Sequence, residues 1–265
     1  MSWIQAFILG LIQGLTEFLP VSSSGHLTIT KSLFGLETGD LTFDIMVHAA
    51  TVLATIVVFR KEIAAIFAGI FRFSWNEQTK YAAMICLSMV PVLIVGVFFK
   101  DSVEALFGTG LKVVGCALIV TAILLWVSDF ISRRRAGEGA PMGFGTAILM
   151  GLAQAVAVIP GLSRSGSTIS TGLLCGAKRS EVAQFSFLMV LVPILGEAFL
   201  DIAGGSLAAS SPIGFWPMAA GFVAAFISGL FACKVMIALV RKANLKWFAL
   251  YCLVMGTACL FNLFR

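Results

Sequence analysis

Two short polar motifs contain the side chains of this chain that could take part in chemistry. Gln13 and Glu17 are four positions apart, so they lie on one face of a helix. His26 follows them and can act as a nucleophile, general base or general acid near neutral pH. Arg164 lies between two apolar stretches, and its guanidinium can bind phosphate oxygens through two hydrogen bonds. These groups suit phosphoryl transfer, which needs charge neutralisation and an aligned nucleophile.

Hydroxyl groups and glycines surround these side chains. Serine is favoured at helix N-caps, glycine lets a ligand approach the backbone closely, and the free N–H groups of a helix N-terminus form an anion site. We therefore expect the tips of both motifs to bind phosphate, through Ser22, Ser24, Gly25, Ser163, Ser165, Gly166 and Thr168. Ser23, His26 or a water molecule is the expected nucleophile, with Glu17 orienting or deprotonating it.

The rest of the chain is strongly apolar. Of its 265 residues, 59% are hydrophobic and 12% are charged, whereas a soluble domain carries roughly 25% charged residues. Apolar runs of about 20 residues, the length that crosses a bilayer, recur without alternation, which indicates helices and not a barrel. The net charge of +5 comes from short basic clusters between these runs, so it indicates membrane topology and not nucleic-acid binding. We predict an all-α, polytopic integral membrane protein.

Two apolar stretches differ from the others because a proline and a polar turn interrupt them, at Pro20 and at Pro160. Broken helices at membrane depth are tolerated only inside protein or beside a cavity, so we predict re-entrant hairpins over 3–34 and 143–177. Residues 62–79 are too charged to span and are predicted to form an interfacial helix and a loop. Six uninterrupted spans are predicted, at 43–59, 80–99, 111–131, 183–200, 216–240 and 246–264.

The two hairpins are similar in sequence at a constant offset of 141 residues. Gly10-Leu11-x-Gln13 recurs as Gly151-Leu152-x-Gln154, and Ser22-x-Ser24-Gly25 recurs as Ser163-x-Ser165-Gly166. We interpret this similarity as a duplication within a single membrane domain. Inverted repeats whose broken helices meet near the bilayer midplane are a known design. The predicted organisation is a first repeat at 1–131, a basic cytoplasmic linker at 132–142 and a second repeat at 143–265.

The basic clusters predict the orientation of the chain. If Arg133-Arg134-Arg135 is cytoplasmic, as the positive-inside rule requires, all four basic clusters fall on the inside. The two hairpins then enter the membrane from opposite faces, the first of them from outside. This agreement favours an inverted repeat.

Several residue roles stay open at this stage. Glu17 could merely stabilise the serine turn, although a carboxylate at membrane depth is a functional candidate by default. Arg164 could form an internal ion pair with Glu17, and this pair could loosen when a phosphate binds. Glu17 could also help to hold a divalent cation, which prefers oxygen ligands. His48 could face the site or be a satisfied core histidine.

Taken together, the two motifs resemble those of the undecaprenyl-pyrophosphate phosphatases of the bacitracin-resistance (BacA/UppP) family. Gln13-x-x-x-Glu17 is similar to that family's Glu/Gln-x-x-x-Glu motif, although many members carry Glu where this chain has Gln. Residues 20–26 match its serine motif, and residues 160–165 are similar to its Pro-Gly-x-Ser-Arg-Ser motif. The resemblance implies an all-helical inverted repeat in the bacterial plasma (inner) membrane, with two re-entrant hairpins and a site open toward the outer, periplasmic face.

The resemblance also implies an activity, the hydrolysis of undecaprenyl pyrophosphate to undecaprenyl phosphate and inorganic phosphate. This reaction recycles the lipid carrier for peptidoglycan and confers resistance to bacitracin, which competes for the substrate and does not bind the protein. A divalent cation, Mg²⁺ or Ca²⁺, is the implied cofactor. The implied site residues are Glu17, Ser22, Ser23, His26 and Arg164, supported by Gln13, Ser24, Ser163, Ser165 and Thr168.

Transport is the alternative class of function, as an anionic-lipid flippase or an ion-coupled transporter. Inverted repeats and broken helices suit alternating access. A channel is disfavoured because the sequence has no ring of repeated charges for a filter. The oligomeric state stays open, with a homodimer among the alternatives.

Overall fold

The computed structural model describes residues 1–36, 41–107, 110–135, 139–196, 213–242 and 244–264. Within these ranges the regular structure is helical, and the β contact is an isolated parallel bridge between Ala140 and Ala177. The all-α class predicted from the sequence is therefore confirmed. The helices are α1 (Trp3–Phe18), α2 (Ser23–Leu33), α3 (Leu41–Val58), α4 (Arg60–Ile70), α5 (Glu77–Phe98), α6 (Lys100–Phe107), α7 (Leu111–Arg134), α8 (Phe144–Val156), α9 (Arg164–Leu174), α10 (Arg179–Met189), α11 (Phe215–Lys242) and α12 (Lys246–Leu260).

Several of these helices are long and apolar enough to cross a membrane. Among the described residues, four qualify alone: Glu77–Phe98, Leu111–Arg134, Arg179–Gly196 and Phe215–Val240. Helices α3 and α4 qualify as a bent pair, with 73° between them. A multi-pass membrane protein is therefore confirmed. The count of six spans stays a prediction, because α12 has only 15 residues and residues 197–200 of one predicted span lie outside the described residues.

Each predicted hairpin is a pair of short helices joined by a turn. Helix α1 ends just before Pro20, whose missing N–H and ring cannot continue a helix. Helix α2 then begins behind Ser22, whose Oγ accepts a hydrogen bond from the Gly25 N–H at 3.2 Å. In the second pair Ser163 caps α9 in the same way, accepting from the Gly166 N–H at 3.0 Å. The breaks lie where the sequence predicts them, and the re-entrant path through a bilayer stays a prediction.

The first helix of each pair packs against a helix from the other half of the chain. Helix α1 lies along α11, and α8 lies along α5. Two glycines at equivalent motif positions allow these close approaches. A Cβ at Gly10 would collide with the carbonyl oxygen of Gly221, and a Cβ at Gly151 would collide with that of Ser88. Because α2 and α9 both contact α7, the two turns are brought together inside the protein.

Many large apolar side chains of the long helices point away from this interior. Phe98 is 75% exposed, Phe231 is 64% exposed and Trp126 is 56% exposed. Such a surface is unfavourable in water, whereas lipid tails are as apolar as these side chains. The polar tips of the two helix pairs are thus enclosed by a shell that suits a bilayer.

Candidate active site

Glu17 lies at the centre of the site, in the last turn of α1, with a side chain that is only 9% exposed. Its Oε2 atom accepts a hydrogen bond from Gln13 Nε2 at 2.8 Å, as expected for residues one helical turn apart. The same oxygen accepts a hydrogen bond from Ser23 Oγ at 2.6 Å. The carboxylate therefore connects its own helix to the first turn of α2.

Two cationic or potentially cationic groups from other helices face Glu17. Arg164, the first residue of α9, places a terminal guanidinium nitrogen 3.4 Å from Glu17 Oε1. His48 of α3 places Nε2 3.6 Å from Glu17 Oε2, while its Nδ1 lies 2.7 Å from the Asp44 carbonyl oxygen. His48 thus faces the site. The internal ion pair of Arg164 and Glu17 is present, and it is long for a charge-assisted hydrogen bond.

The two turns are joined by serines at equivalent motif positions. The Gly161 N–H donates to Ser24 Oγ at 3.4 Å, and Ser165 Oγ donates to the Leu19 carbonyl oxygen at 3.1 Å. Each contact crosses from one helix pair to the other. The structure therefore brings the two polar motifs, which are about 140 residues apart in sequence, into one site.

Some predicted phosphate-binding residues already have structural partners. The hydroxyls of Ser22 and Ser163 cap α2 and α9 through the N–H groups of Gly25 and Gly166. Thr168 is 1% exposed, and its Oγ1 lies 2.7 Å from Ser186 Oγ. These hydroxyls shape the tips. Among the predicted hydroxyls, those of Ser23 and Ser24 belong to partly exposed residues.

His26 lies at the same tip, and its two ring nitrogens contact other residues than Glu17. Its Nδ1 is 2.8 Å from the Ser22 carbonyl oxygen, and its Nε2 is 2.6 Å from the hydroxyl of Tyr251. Sequence reasoning missed Tyr251, which is one of only two tyrosines in the chain and lies within an otherwise apolar predicted span. That rarity is the signal that could have identified it.

A cleft lies beside Glu17 and Arg164, and both side chains line it. Its lining includes three hydroxyl residues that sequence reasoning missed, Thr51, Thr55 and Ser186. Its apolar lining residues come from α1, α3 and the segment 187–194, and are Phe18, Val52, Phe187, Val190 and Ile194. A cleft lined by charged, hydroxyl and apolar side chains suits a ligand that carries a charged head on an apolar chain.

The residues near Glu17 offer few ligands for a metal ion. Among the described residues, no group of three or more His, Cys, Asp or Glu side chains could hold one. Within the described part of the chain, Gln13 Oε1 is a buried atom with no hydrogen-bond partner, while Nε2 of the same amide donates to Glu17. One carboxylate and one unpaired amide oxygen fit a hard divalent cation that takes its other ligands from substrate phosphates and water.

Comparison with known proteins identifies the family of this chain. The family model described as "Bacitracin resistance protein BacA" matches residues 6–258. A protein of Bacteroides fragilis named undecaprenyl-diphosphatase is 54% identical over 261 residues, covering 97% of this chain and 96% of the relative. A protein of Parabacteroides distasonis with the same name is 55% identical over the same coverage. One from Carboxydothermus hydrogenoformans is 40% identical over 264 residues, covering 98% of this chain and 97% of the relative. The chain therefore belongs to the bacitracin resistance protein BacA family.

Proposed function

We propose that this chain hydrolyses undecaprenyl pyrophosphate to undecaprenyl phosphate and inorganic phosphate. The observation that carries the proposal is the meeting of Glu17, Ser23 and Arg164, from two helix pairs, beside a cleft that apolar side chains help to line. The relatives named undecaprenyl-diphosphatase cover nearly the whole chain and supply the identity of the lipid. Their names describe a phosphatase, so the transport alternative is not favoured.

The diphosphate head group is bound by charge. Arg164 is 29% exposed, and Glu17 is its ion-pair partner among the described residues, at 3.4 Å. A phosphate oxygen offers the guanidinium shorter and bidentate hydrogen bonds, so the internal pair loosens when the substrate enters. The N-termini of α2 and α9 add partial positive charge from both sides. The lipid chain then lies against the apolar side chains that line the cleft.

Ser23 is the nucleophile that the contacts favour. Its hydroxyl already donates to Glu17 Oε2 at 2.6 Å, so the carboxylate can take the proton as the Oγ–phosphorus bond forms. The bond from the terminal phosphorus to the bridging oxygen breaks, and undecaprenyl phosphate leaves. Water then hydrolyses the phosphorylated serine. His26 is less favoured for the attack, because Tyr251 covers its Nε2 in this arrangement.

Glu17 and Gln13 Oε1 would hold a divalent cation, Mg²⁺ or Ca²⁺, which neutralises charge on phosphate oxygens when it is bound. The fit rests on this buried amide oxygen, which has no hydrogen-bond partner among the residues that the structure describes. The side chains of the protein itself carry out the bond-forming and bond-breaking steps of the reaction.

The inner membrane is the proposed location, with the site open toward the outer face. Two basic clusters that are separate in sequence support this orientation. Asp129 pairs with Arg133 and with Arg179, each at 2.9 Å, so both clusters lie at the same end of the protein. By the positive-inside rule this end is cytoplasmic. From the outer side the enzyme would recycle the carrier lipid for peptidoglycan and remove the substrate for which bacitracin competes.

The test is release of inorganic phosphate from undecaprenyl pyrophosphate by the detergent-purified protein. No membrane gradient exists in detergent, so hydrolysis there separates the enzyme from a coupled transporter. Assays with EDTA, and with Mg²⁺ or Ca²⁺ added back, test whether phosphate release requires a divalent cation. Glu77→Gln is a suitable control for carboxylate variants because the Glu77 side chain is 84% exposed. Release no faster than in a protein-free mixture would refute the proposed function.

A further inference from the structure

The two ring nitrogens of His26 both contact neutral oxygens. Nδ1 lies 2.8 Å from the Ser22 carbonyl oxygen, and Nε2 lies 2.6 Å from the Tyr251 hydroxyl. A carbonyl oxygen only accepts, so Nδ1 must carry a hydrogen. In the neutral ring Nε2 is then the bare nitrogen, and it accepts the hydrogen of the tyrosine hydroxyl. Two contacts thus determine which nitrogen could react.

Tyr251 reaches this nitrogen from a distant part of the chain. It belongs to α12, 225 residues beyond His26, and the two rings are stacked with centroids 5.5 Å apart and planes 9° apart. His26 is 8% exposed, whereas Tyr251 is 42% exposed. The tyrosine therefore covers the histidine, and its hydroxyl occupies the Nε2 lone pair.

We propose that Tyr251 is a positioning residue for His26 in the phosphatase reaction, an inference that rests on the function proposed above. Its hydroxyl fixes the ring orientation and covers Nε2 in the resting site. A phosphate oxygen is a stronger acceptor than an imidazole nitrogen because it is charged. When the diphosphate binds, the hydroxyl donates to it instead, and Nε2 becomes free to accept a proton.

The uncovered nitrogen has a use in the second half of the reaction. Water attacks the phosphorylated Ser23, passing one proton to His26 Nε2 as the new oxygen–phosphorus bond forms. The bond from phosphorus to Ser23 Oγ breaks, and Oγ recovers its proton from Glu17. The imidazolium keeps its Nδ1–H bond to the Ser22 carbonyl oxygen. Glu17 serves the first step as base, and His26 serves the second.

The composition of the chain allows a direct test. It contains two histidines, at 26 and 48, and two tyrosines, at 81 and 251. Full-length protein with ¹⁵N-labelled histidine therefore gives two imidazole patterns in NMR spectra, and a His48→Gln variant assigns them. Tyr251→Phe keeps the aromatic ring and removes only the hydroxyl. Tyr81→Phe is the matched control, because the Tyr81 hydroxyl has no hydrogen-bond partner among the described residues.

We expect Tyr251→Phe to move the His26 Nε2 resonance to higher frequency, as a bare nitrogen that loses a donor does, while Nδ1 stays protonated. We expect kcat for phosphate release to fall about tenfold, the effect of one hydrogen bond, with a smaller change in KM. Tyr81→Phe should change neither quantity.

Other outcomes overturn the inference separately from the function. An unchanged Nε2 resonance in Tyr251→Phe means that the contact does not exist. A shifted resonance with wild-type kcat means that the contact exists and does not position His26 for catalysis. If the wild-type protein releases no phosphate, the proposed function fails and the catalytic role of Tyr251 fails with it, while the spectra still decide the contact.

Discussion

The two helix pairs share a framework but carry different chemistry. Both turns have a serine N-cap, at Ser22 and Ser163, and a second serine that bonds to the opposite turn. At the offset of the repeat, however, Glu17 corresponds to Val158 and His26 to Ser167. The first pair thus holds the carboxylate, the imidazole and the candidate nucleophile. The second pair contributes one cation, Arg164, where the first has Ser23.

This difference indicates how a duplicated membrane framework can build an asymmetric site. Helix caps and close helix packing are needed in both halves, so the residues responsible for them occur in both. The reacting groups are needed once, because one substrate head group fills the space between the turns. We therefore expect variants of the first pair to change turnover and variants of the second pair to change binding.

The largest effect is expected from Glu17→Gln. It removes the base and leaves Arg164 without its carboxylate, so kcat for phosphate release should fall roughly 10²–10⁴-fold, the usual range for a general base. Val158→Leu, at the corresponding position of the second pair, should remain close to wild type. Steady-state phosphate assays of both variants check this prediction. Turnover near wild type in Glu17→Gln would contradict the assignment of the reacting groups to the first pair.

Arg164→Ala should mainly weaken substrate binding. Losing charged hydrogen bonds of about 1.5–3 kcal/mol lowers kcat/KM roughly 10- to 100-fold, and most of the loss should be in KM. Arg164→Lys should recover part of it, because lysine keeps the charge but cannot form the bidentate fork. Kinetics over a range of substrate concentrations separate the two constants. A loss confined to kcat would move Arg164 into the chemical step and contradict the division of roles.

Gln13 and Gln154 lie at equivalent positions of the two helix pairs and allow a direct test of this difference. Gln13→Leu removes the donor to Glu17 and also the proposed cation ligand Oε1, so activity should fall at least about tenfold, the effect of the hydrogen bond alone. Among the described residues, neither polar atom of the buried Gln154 side chain has a hydrogen-bond partner, and such groups cost about 1–3 kcal/mol each. Gln154→Leu should therefore keep full activity and an equal or higher unfolding temperature. Phosphate-release assays and thermal unfolding of both variants test this prediction. Equal losses of activity in the two variants would mean that both helix pairs support the Glu17 carboxylate.

The smallest effects are expected from the serines that join the turns. Ser24→Ala and Ser165→Ala each remove the neutral hydrogen bond between the turns, together with a contact to the capping serine two positions before, so each should lower the free energy of unfolding by about 0.5–1.5 kcal/mol. Thermal unfolding in detergent measures this. Ser102→Ala, at an exposed position of α6, serves as the control. Because each variant removes one contact between the turns, a large effect of one variant alone would show that the turns are not held together symmetrically.

Features that depend on neighbouring residues could be predicted from the sequence. The apolar composition and run lengths predict a multi-pass helical protein, and Pro20 and Pro160 predict the breaks. The serine caps and the contact of Gln13 with Glu17 follow from helix geometry, which acts over three or four positions. Local physics is enough for such features because the chain itself holds the interacting groups close together.

The contacts between groups from distant segments could be seen only in the folded protein. Arg164 reaches Glu17, His48 faces the same carboxylate, and Tyr251 covers His26, because α3, α9 and α12 pack around the first turn. These contacts require the helices to pack closely. Such close packing occurs at Gly10 and Gly151, where each glycine lies against the backbone of a neighbouring helix. Neither residue spacing nor hydropathy encodes which helices pack together, since that depends on the complementary shapes of surfaces far apart in the chain.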